Sequence, residues 1–391
     1  MNQLQATNAT NALRTGSGSD SASDRDVIAA HFKGMQGSFE LDAAFELSAS
    51  GVTALFGPSG CGKTSILRCI AGLNRLPFGH FSLKGEIWQD DSRFLPAHKR
   101  PVGYVFQEAS LFPHMSVEQN LVYGQKRAHR LDGQQGPQLN QREVTDLLGI
   151  GPLLKRSTTR LSGGERQRVA IGRALLSHPR ILLMDEPMAA LDRFSKNEIL
   201  PYLERLHDEL NIPVLYVSHD IAEVERLADQ MVLMENGGVK AAGPLQALLS
   251  DPALSLSHMP QAASVLAGNL VAIDSEFGIS TITVADIPFQ VPGVKGPLGR
   301  PVRLRIEASD VALSRHVPEG SSSILNTPPV TIETIQPFGQ HMANIFLRLG
   351  DGPHSQTLIA RISRKSQHAL DLKPGERIQA MVKSVSMVRE V

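Results

Sequence analysis

The stretch GPSGCGKT at residues 57–64 constrains this chain more than any other. It follows an apolar run, VTALF at 52–56, and precedes a helix-period stretch at 65–71, the order that the G-x-x-x-x-G-K-[ST] pattern requires. Glycines let several backbone N–H groups converge on one anion, and a helix N-terminus adds its dipole. A phosphate chain fits such a loop. Gly57, Pro58, Ser59, Gly60, Cys61, Gly62, Lys63, Thr64 and Ser65 are its candidate contacts. Lys63 offers a mobile positive charge to β- and γ-phosphates, and Thr64 offers a hydroxyl to Mg²⁺. The bland reading is a glycine turn carrying a surface lysine.

A second apolar run, ILLM at 181–184, ends in Asp185 and Glu186. A buried strand there delivers both carboxylates to the C-terminal edge of a sheet, where ligands of open α/β sheets bind. Alone, the pair reads as a solvated strand end. Beside a phosphate loop, Asp185 is placed to hold Mg²⁺ through water and Glu186 to take a proton from an attacking water.

Between residues 26 and 250 short apolar runs (VTALF, VGYVF, ILLMDE, VLYVSH) alternate with helix-period stretches, which predicts an α/β domain around a largely parallel sheet. Residues 1–25 are rich in Asn, Thr, Ser and Gly and read as a disordered leader, to which the sequence assigns no function. Residues 251–266 read as a linker, and from 267 to 391 the period changes to two, predicting a small all-β unit or a pair of barrels. GRPVRLRIEASDVAL from Gly299 aligns with GERIQAMVKSVSM from Gly375. Either this is an internal repeat or two amphipathic strands align by chance.

LSGGE at 161–165, together with the elements above, resembles the ATP-binding cassette ATPases, whose signature is LSGGQ. Ser162, Gly163 and Gly164 at a helix start make another anion cradle. The resemblance implies a mixed sheet with a helical subdomain and a head-to-tail homodimer, each ATP held between one subunit's loop and the partner's signature. It also implies that Gln107 in VFQE touches the metal and the water, that Asp192 belongs to the D-loop (ALD), and that His219 in YVSHD contacts the γ-phosphate as the switch histidine. The family usually stacks an aromatic ring on adenine; the candidates, Phe32 and Phe39, do not sit at the expected spacing. LFPHMSVEQNL at 111–121 resembles the surface that receives a membrane subunit, against a reading in which Leu111, Phe112 and Met115 are simply buried.

The tail sharpens the resemblance. SILN (323–326), ARISRKS (360–366) and VKSVSM (382–387) resemble the molybdate-binding Mop module, about 321–391, so cassette plus OB-like (TOBE/Mop) domain is similar to the ATP-binding subunits of molybdate importers. That implies an ATP-hydrolysing translocase subunit with ATP and Mg²⁺ as cofactors and bound molybdate in the tail. It implies two integral-membrane permease subunits, an indirect link to a periplasmic molybdate-binding protein, and a peripheral place on the cytoplasmic face of the inner membrane. Tungstate shares the shape and charge of molybdate, and sulfate, iron or polyamine import is the alternative. A tetrahedral dianion needs N–H and O–H donors with one cation, and Ser323, Ser366, Lys383 and Ser384 supply that chemistry, the resemblance implying that such residues converge between paired modules. Their other reading is strand caps and a wet sheet face, and Asn326 reads equally as a turn former.

Composition excludes other classes. Thirty-nine basic and 39 acidic residues cancel, which argues against a nucleic-acid partner. Two cysteines eight residues apart, Cys61 and Cys69, exclude a disulfide framework. No apolar run reaches the ~18 residues of a membrane span. An oxyanion-storage or sensor protein is disfavoured by the full set of hydrolysis motifs.

Overall fold

A computed structural model of the chain describes all residues except 1–25, 38, 129–135, 138, 211, 294–295, 317–321 and 389–391, so the expected leader lies outside the described residues. The first ten strands are β1 (Val27–Gln36), β2 (Phe39–Ser48), β3 (Val52–Phe56), β4 (Phe78–Leu83), β5 (Glu86–Gln89), β6 (Val102–Val105), β7 (Ile181–Asp185), β8 (Val214–Ser218), β9 (Gln230–Glu235) and β10 (Gly238–Pro244). They form one sheet in the order β5-β4-β1-β2-β10-β9-β3-β8-β7-β6. Strands β6, β7, β8, β3 and β9 run parallel, while β1, β2, β4 and β5 add an antiparallel flank, so the sheet is mixed.

The strands that read as unbroken apolar runs are buried along their whole length. Their period of two still sorts the two faces. Val52, Ala54, Leu182, Met184, Val214 and Tyr216 enter one core; Leu55, Ile181, Leu183, Leu215 and Val217 enter the other. The second face is covered by α1 (Lys63–Ile70). The first is covered by α2 (Val117–Ala128), α3 (Gln141–Leu147), α4 (Gly163–Leu175), α5 (Arg193–Glu209), α6 (Ile221–Leu227) and α7 (Leu245–Leu249). Parallel register aligns the strand ends: Phe56 pairs with Ser218, and Asp185 with Val217. Three C-terminal strand ends therefore lie side by side, and the loops leaving them share one edge.

Residues 251–266 are packed rather than free. Leu254 and Leu256 enter the first core, and the carbonyl of buried Ser257 accepts from Asn344 Nδ2 at 2.8 Å. Beyond them come β11 (Ala263–Asp274), β12 (Ile279–Val284), β13 (Ile287–Pro292), β14 (Pro301–Glu307), β15 (Val311–Ser314), β16 (Pro329–Phe338), β17 (Met342–Leu349), β18 (Gln356–Ser363), α8 (Arg364–Ala369), β19 (Arg377–Val382) and β20 (Ser386–Met387). Two antiparallel five-stranded sheets result, β13-β12-β11-β14-β20 and β15-β19-β16-β17-β18, around one shared core.

The strand orders decide the question of the repeat. Strands β11 to β15 map one for one onto β16 to β20, and both β11 and β16 break register at equivalent places, Leu270/Ala272 and Ile332/Thr334. The last strand of each repeat crosses to the other sheet, β15 pairing with β19 and β20 with β14. Equivalent side chains also bridge the sheets. Ser264 Oγ accepts from Ile359 N at 2.9 Å, and Asn326 Oδ1 accepts from Gln290 N at 2.7 Å. Asn326 is thus a buried cross-sheet tie, not a turn former.

Candidate nucleotide and hydrolysis site

Loop 57–64 leaves the C-terminal end of β3 and enters α1 through Gly62, whose φ of 103° favours glycine. A Cβ there would stand 2.6 Å from Leu41 Cδ1, and one on Gly57 would stand 2.2 Å from the Met234 carbonyl oxygen, so both positions exclude a side chain. Lys63 is buried and donates to the carbonyls of Gly57 at 2.7 Å and Pro58 at 2.8 Å. Its charge faces neutral acceptors within the loop, which a phosphate oxygen outbids as a charge-assisted partner. Cys61 packs inside the loop, burial pushing its thiol up.

Aligned strand ends bring the acidic pair to the same edge. Thr64 Oγ1 donates to Asp185 Oδ1 at 2.7 Å, and Tyr104 OH donates to Asp185 Oδ2 at 3.1 Å. Burial, then the neighbouring carboxylate, raises the Tyr104 hydroxyl and keeps it a donor. A hydroxyl and one carboxylate are the donor set with which Mg²⁺ joins a phosphate chain, the remaining positions being water and phosphate oxygens. Among the described residues there is no group of three or more His, Cys, Asp or Glu that could hold a metal by itself. Thr64 and Asp185 are the two oxygen donors that the site offers such a cation.

Glu186 adopts a left-handed backbone, φ 44°, rare for a residue with a Cβ. The bend turns its carboxylate toward the end of β8, where Oε2 lies 3.1 Å from His219 Nδ1. The Glu186 side chain is 19% exposed and the His219 side chain 51%, so the pair has access to water.

The signature stands apart. Ser162 caps α4, its Oγ accepting from Glu165 N at 3.1 Å while Glu165 Oε2 accepts from Ser162 N at 2.8 Å. This capping box gives the fifth signature position, where Glu replaces the more usual Gln, a local reason. Asp192 caps α5 through Phe194 N and Ser195 N, and those hydrogen bonds, Ser195 first, lower its carboxyl. Gln107 is exposed in a cleft of about 470 Å³ lined also by Gly163, Gln167, Ala190 and Leu191. Among the described residues no hydrogen bond joins residues 162–165 to the loop at 57–64. One chain brings together Lys63, Thr64, Asp185, Glu186 and His219, while Ser162 and Glu165 hydrogen-bond to each other and to none of these among the described residues.

Phe32 is fully buried and offers no ring to a base, whereas Phe39 packs over the loop, 3.3 Å from a Cβ built on Gly62. Two contacts escaped sequence reasoning: Tyr104 on Asp185, and Gln36 Oε1 accepting from Ser65 Oγ at 2.5 Å. Their only signal is position, Tyr104 lying on the strand beside β7.

The tail residues fall in two places. Register sets Ser323, Lys383 and Ser384 beside the start of β16. Ser366, in α8, lies beyond the opposite end of that strand, where Ser363 pairs with Met342 and Met342 with Phe338. Ser366 N donates to Ser363 Oγ, and all four candidates are exposed. A single chain does not converge them.

Strand, glycine loop and helix, with a carboxylate pair and histidine at the adjoining strand ends and a capped LSGGE helix, define an ATP-binding cassette ATPase. The family model for the ABC transporter matches residues 41–189, and the TOBE domain model matches 322–388. The chain is 54% identical over 362 residues to a molybdenum import ATP-binding protein ModC of Rhodobacter capsulatus, covering 92% of this chain and 98% of that one. It is 51% identical to one from Rhodopseudomonas palustris (93% and 95% covered) and 48% identical to one from Thiobacillus denitrificans (93% and 98% covered). The chain belongs to the family of molybdenum import ATP-binding proteins.

Proposed function

We propose that the chain is the ATP-hydrolysing subunit of a molybdate importer. The observation that carries this is the meeting, at one sheet edge, of the Thr64–Asp185 bond and the Glu186–His219 pair beside the phosphate loop. In this reading loop 57–64 and Ser65 hold the phosphates, Lys63 exchanges its loop carbonyls for phosphate oxygens, and Thr64, Asp185 and Gln107 hold Mg²⁺, which neutralises charge developing on the phosphates. Glu186 accepts the proton of the attacking water, and His219, held on Glu186, orients it toward the γ-phosphate. Products are ADP and phosphate. Ser162 and Asp192 make only local capping contacts and none to their own phosphate loop among the described residues, which supports a head-to-tail homodimer in which they, with Gly163 and Gly164, complete the partner's site.

No helix among the described residues is long and apolar enough to cross a membrane, and we assign translocation to other chains. We assign these as two permease subunits, fed by a periplasmic molybdate-binding protein, with the cassettes on the cytoplasmic face. Exposed Leu73, Phe106 and Tyr123 beside a groove of about 400 Å³ support docking there, next to the half-buried Leu111, Phe112 and Met115. The names of the relatives favour molybdenum over sulfate, iron or polyamine. Ser323, Lys383 and Ser384 of one tail, with Ser366 of another, are the oxyanion set, which requires paired tails.

The test is hydrolysis with and without molybdate, alongside calorimetric titration of the full chain. Binding of molybdate and tungstate with sulfate excluded is expected; sulfate bound equally, or no ATP hydrolysis, defeats the assignment.

A further inference from the structure

Helix α6 begins two residues after His219, and both of its carboxylates are buried. Ile221, Val224 and Leu227 enter the core, leaving Glu223 (6% exposed) and Glu225 (1%) on opposite flanks of that stripe. Glu223 Oε2 accepts from Ser218 Oγ at 2.8 Å, and Ser218 Oγ in turn accepts from Asp220 N at 3.0 Å, so the loop that carries His219 is closed from both sides. Glu223 Oε1 lies 2.7 Å from Lys196 Nζ, in the first turn of α5 and four residues after Asp192. Glu225 points the other way, out of the ATPase fold, and Arg305 Nε on β14 donates to it at 2.6 Å. Just past the helix Arg303, on the same strand, donates to the Ala228 carbonyl at 2.8 Å and is ion-paired with Asp229.

The repeat within the tail sets these arginines apart. At the equivalent positions of the second copy stand Gln379 and Met381, so only the copy that abuts the cassette carries the cations. A buried carboxylate parted from its cation is strongly unfavourable, so α6 moves only with Arg305, with Lys196 and with Glu204, the buried α5 carboxylate ion-paired with Arg226. It is an arm with the switch histidine at one end, the D-loop helix on its flank and the β-domain at the other.

We infer that Arg305 and Lys196 are positioning residues for His219: through Glu225 and Glu223 they set where α6 stands, and hence how the imidazole meets Glu186, so the β-domain is part of the support of the hydrolysis site. This rests on the reading that Glu186 and His219 carry hydrolysis. Misplacement of a catalytic group by about 1 Å costs up to about 100-fold in rate. In the purified full-length chain, Arg305→Gln should lower kcat about 10- to 100-fold with KM for ATP within about twofold. Reversing the pair, Glu225→Arg with Arg305→Glu, should bring kcat back to within about fivefold of the parent. Because Arg305→Gln leaves a buried carboxylate alone and can unfold the junction, Lys196→Met is measured in parallel, where Glu223 keeps its hydrogen bonds from Ser218 and Tyr216; it is expected to lose kcat, normalised to the folded fraction, with KM unchanged. Parental kcat in both single variants overturns the inference. So does a loss that tracks the folded fraction and is not restored by the reversed pair. His219→Ala is the separate arm: if it keeps parental turnover, the reading of the site fails, and if it is inactive while Arg305 and Lys196 variants are not, only the positioning role fails.

Discussion

Glu186 shows how much one residue's backbone decides. Its left-handed φ of 44° costs roughly 1–3 kcal/mol, and what that strain secures is a carboxylate turned from the strand axis onto His219. Glu186→Gln keeps the shape and loses the base, so ATP should still bind while turnover falls about 10²- to 10⁴-fold, read by steady-state hydrolysis beside equilibrium nucleotide binding. Glu165 makes a contrasting case. Its carboxylate reciprocates the Ser162 cap and lies 3.6 Å from Arg156, a half-exposed partner worth little, and a glutamine fulfils the same box. Glu165→Gln is therefore expected to be silent in denaturant melts, and Glu165→Ala to cost about 1 kcal/mol. Both signature and phosphate loop were legible in the sequence because each is a local motif whose glycines and caps act within a few residues. Tyr104 was not, because its bond to Asp185 exists only once β6 lies beside β7.

Elements meet at Asp229, which ties the end of α5, the start of β3 and strand β14. Its carboxylate accepts from Val52 N at 2.9 Å, lies 2.6 Å from His207 Nε2 and is ion-paired with Arg303. Burial by itself would raise this carboxyl, but the His207 hydrogen bond and charge, the Val52 N–H and Arg303 outweigh burial and hold it well below the ordinary carboxylate range. A depressed carboxyl contributes stability that is complete above its unfolded value, about 3.9, and is lost as pH falls toward the folded value. Urea midpoints should therefore drop between about pH 5 and pH 2, and Asp229→Asn should flatten that drop while lowering stability at pH 7 by about 3 kcal/mol. Strand existence here was legible from apolar runs and from period-two alternation. The exchange of β15 and β20 between sheets was not, since the same alternation serves either partner.

Across the whole molecule the exchanged strands bear on how the tail is studied. A piece running from about residue 321 to 391 would lack β15, the edge partner of β19, and would leave β20 without β14, so it exposes strand edges that the full chain pairs. The full chain is the form in which oxyanion binding is to be measured. Lys383→Ala is expected to weaken molybdate binding by about tenfold, roughly one charge-assisted hydrogen bond, without changing ATP binding; calorimetry with each ligand checks both. If bound oxyanion also alters hydrolysis, it must favour one arrangement of the paired cassettes over another, because a ligand with equal affinity for both shifts nothing.

By itself the sequence determined the phosphate loop, the carboxylate pair, the order of the cassette motifs and the change from α/β to β, because each rests on spacing within a short window: glycines at a turn, a cap three residues before its partner, alternation along one strand. Only the tertiary structure decided which of these share an edge, that Lys63 is held by its own loop, that the tail candidates fall at opposite ends of β16, and that α6 carries ion pairs to two different elements. Such contacts join residues far apart in the chain, such as Glu225 and Arg305, and they matter because burial leaves either charge uncompensated without the other, which no local window records.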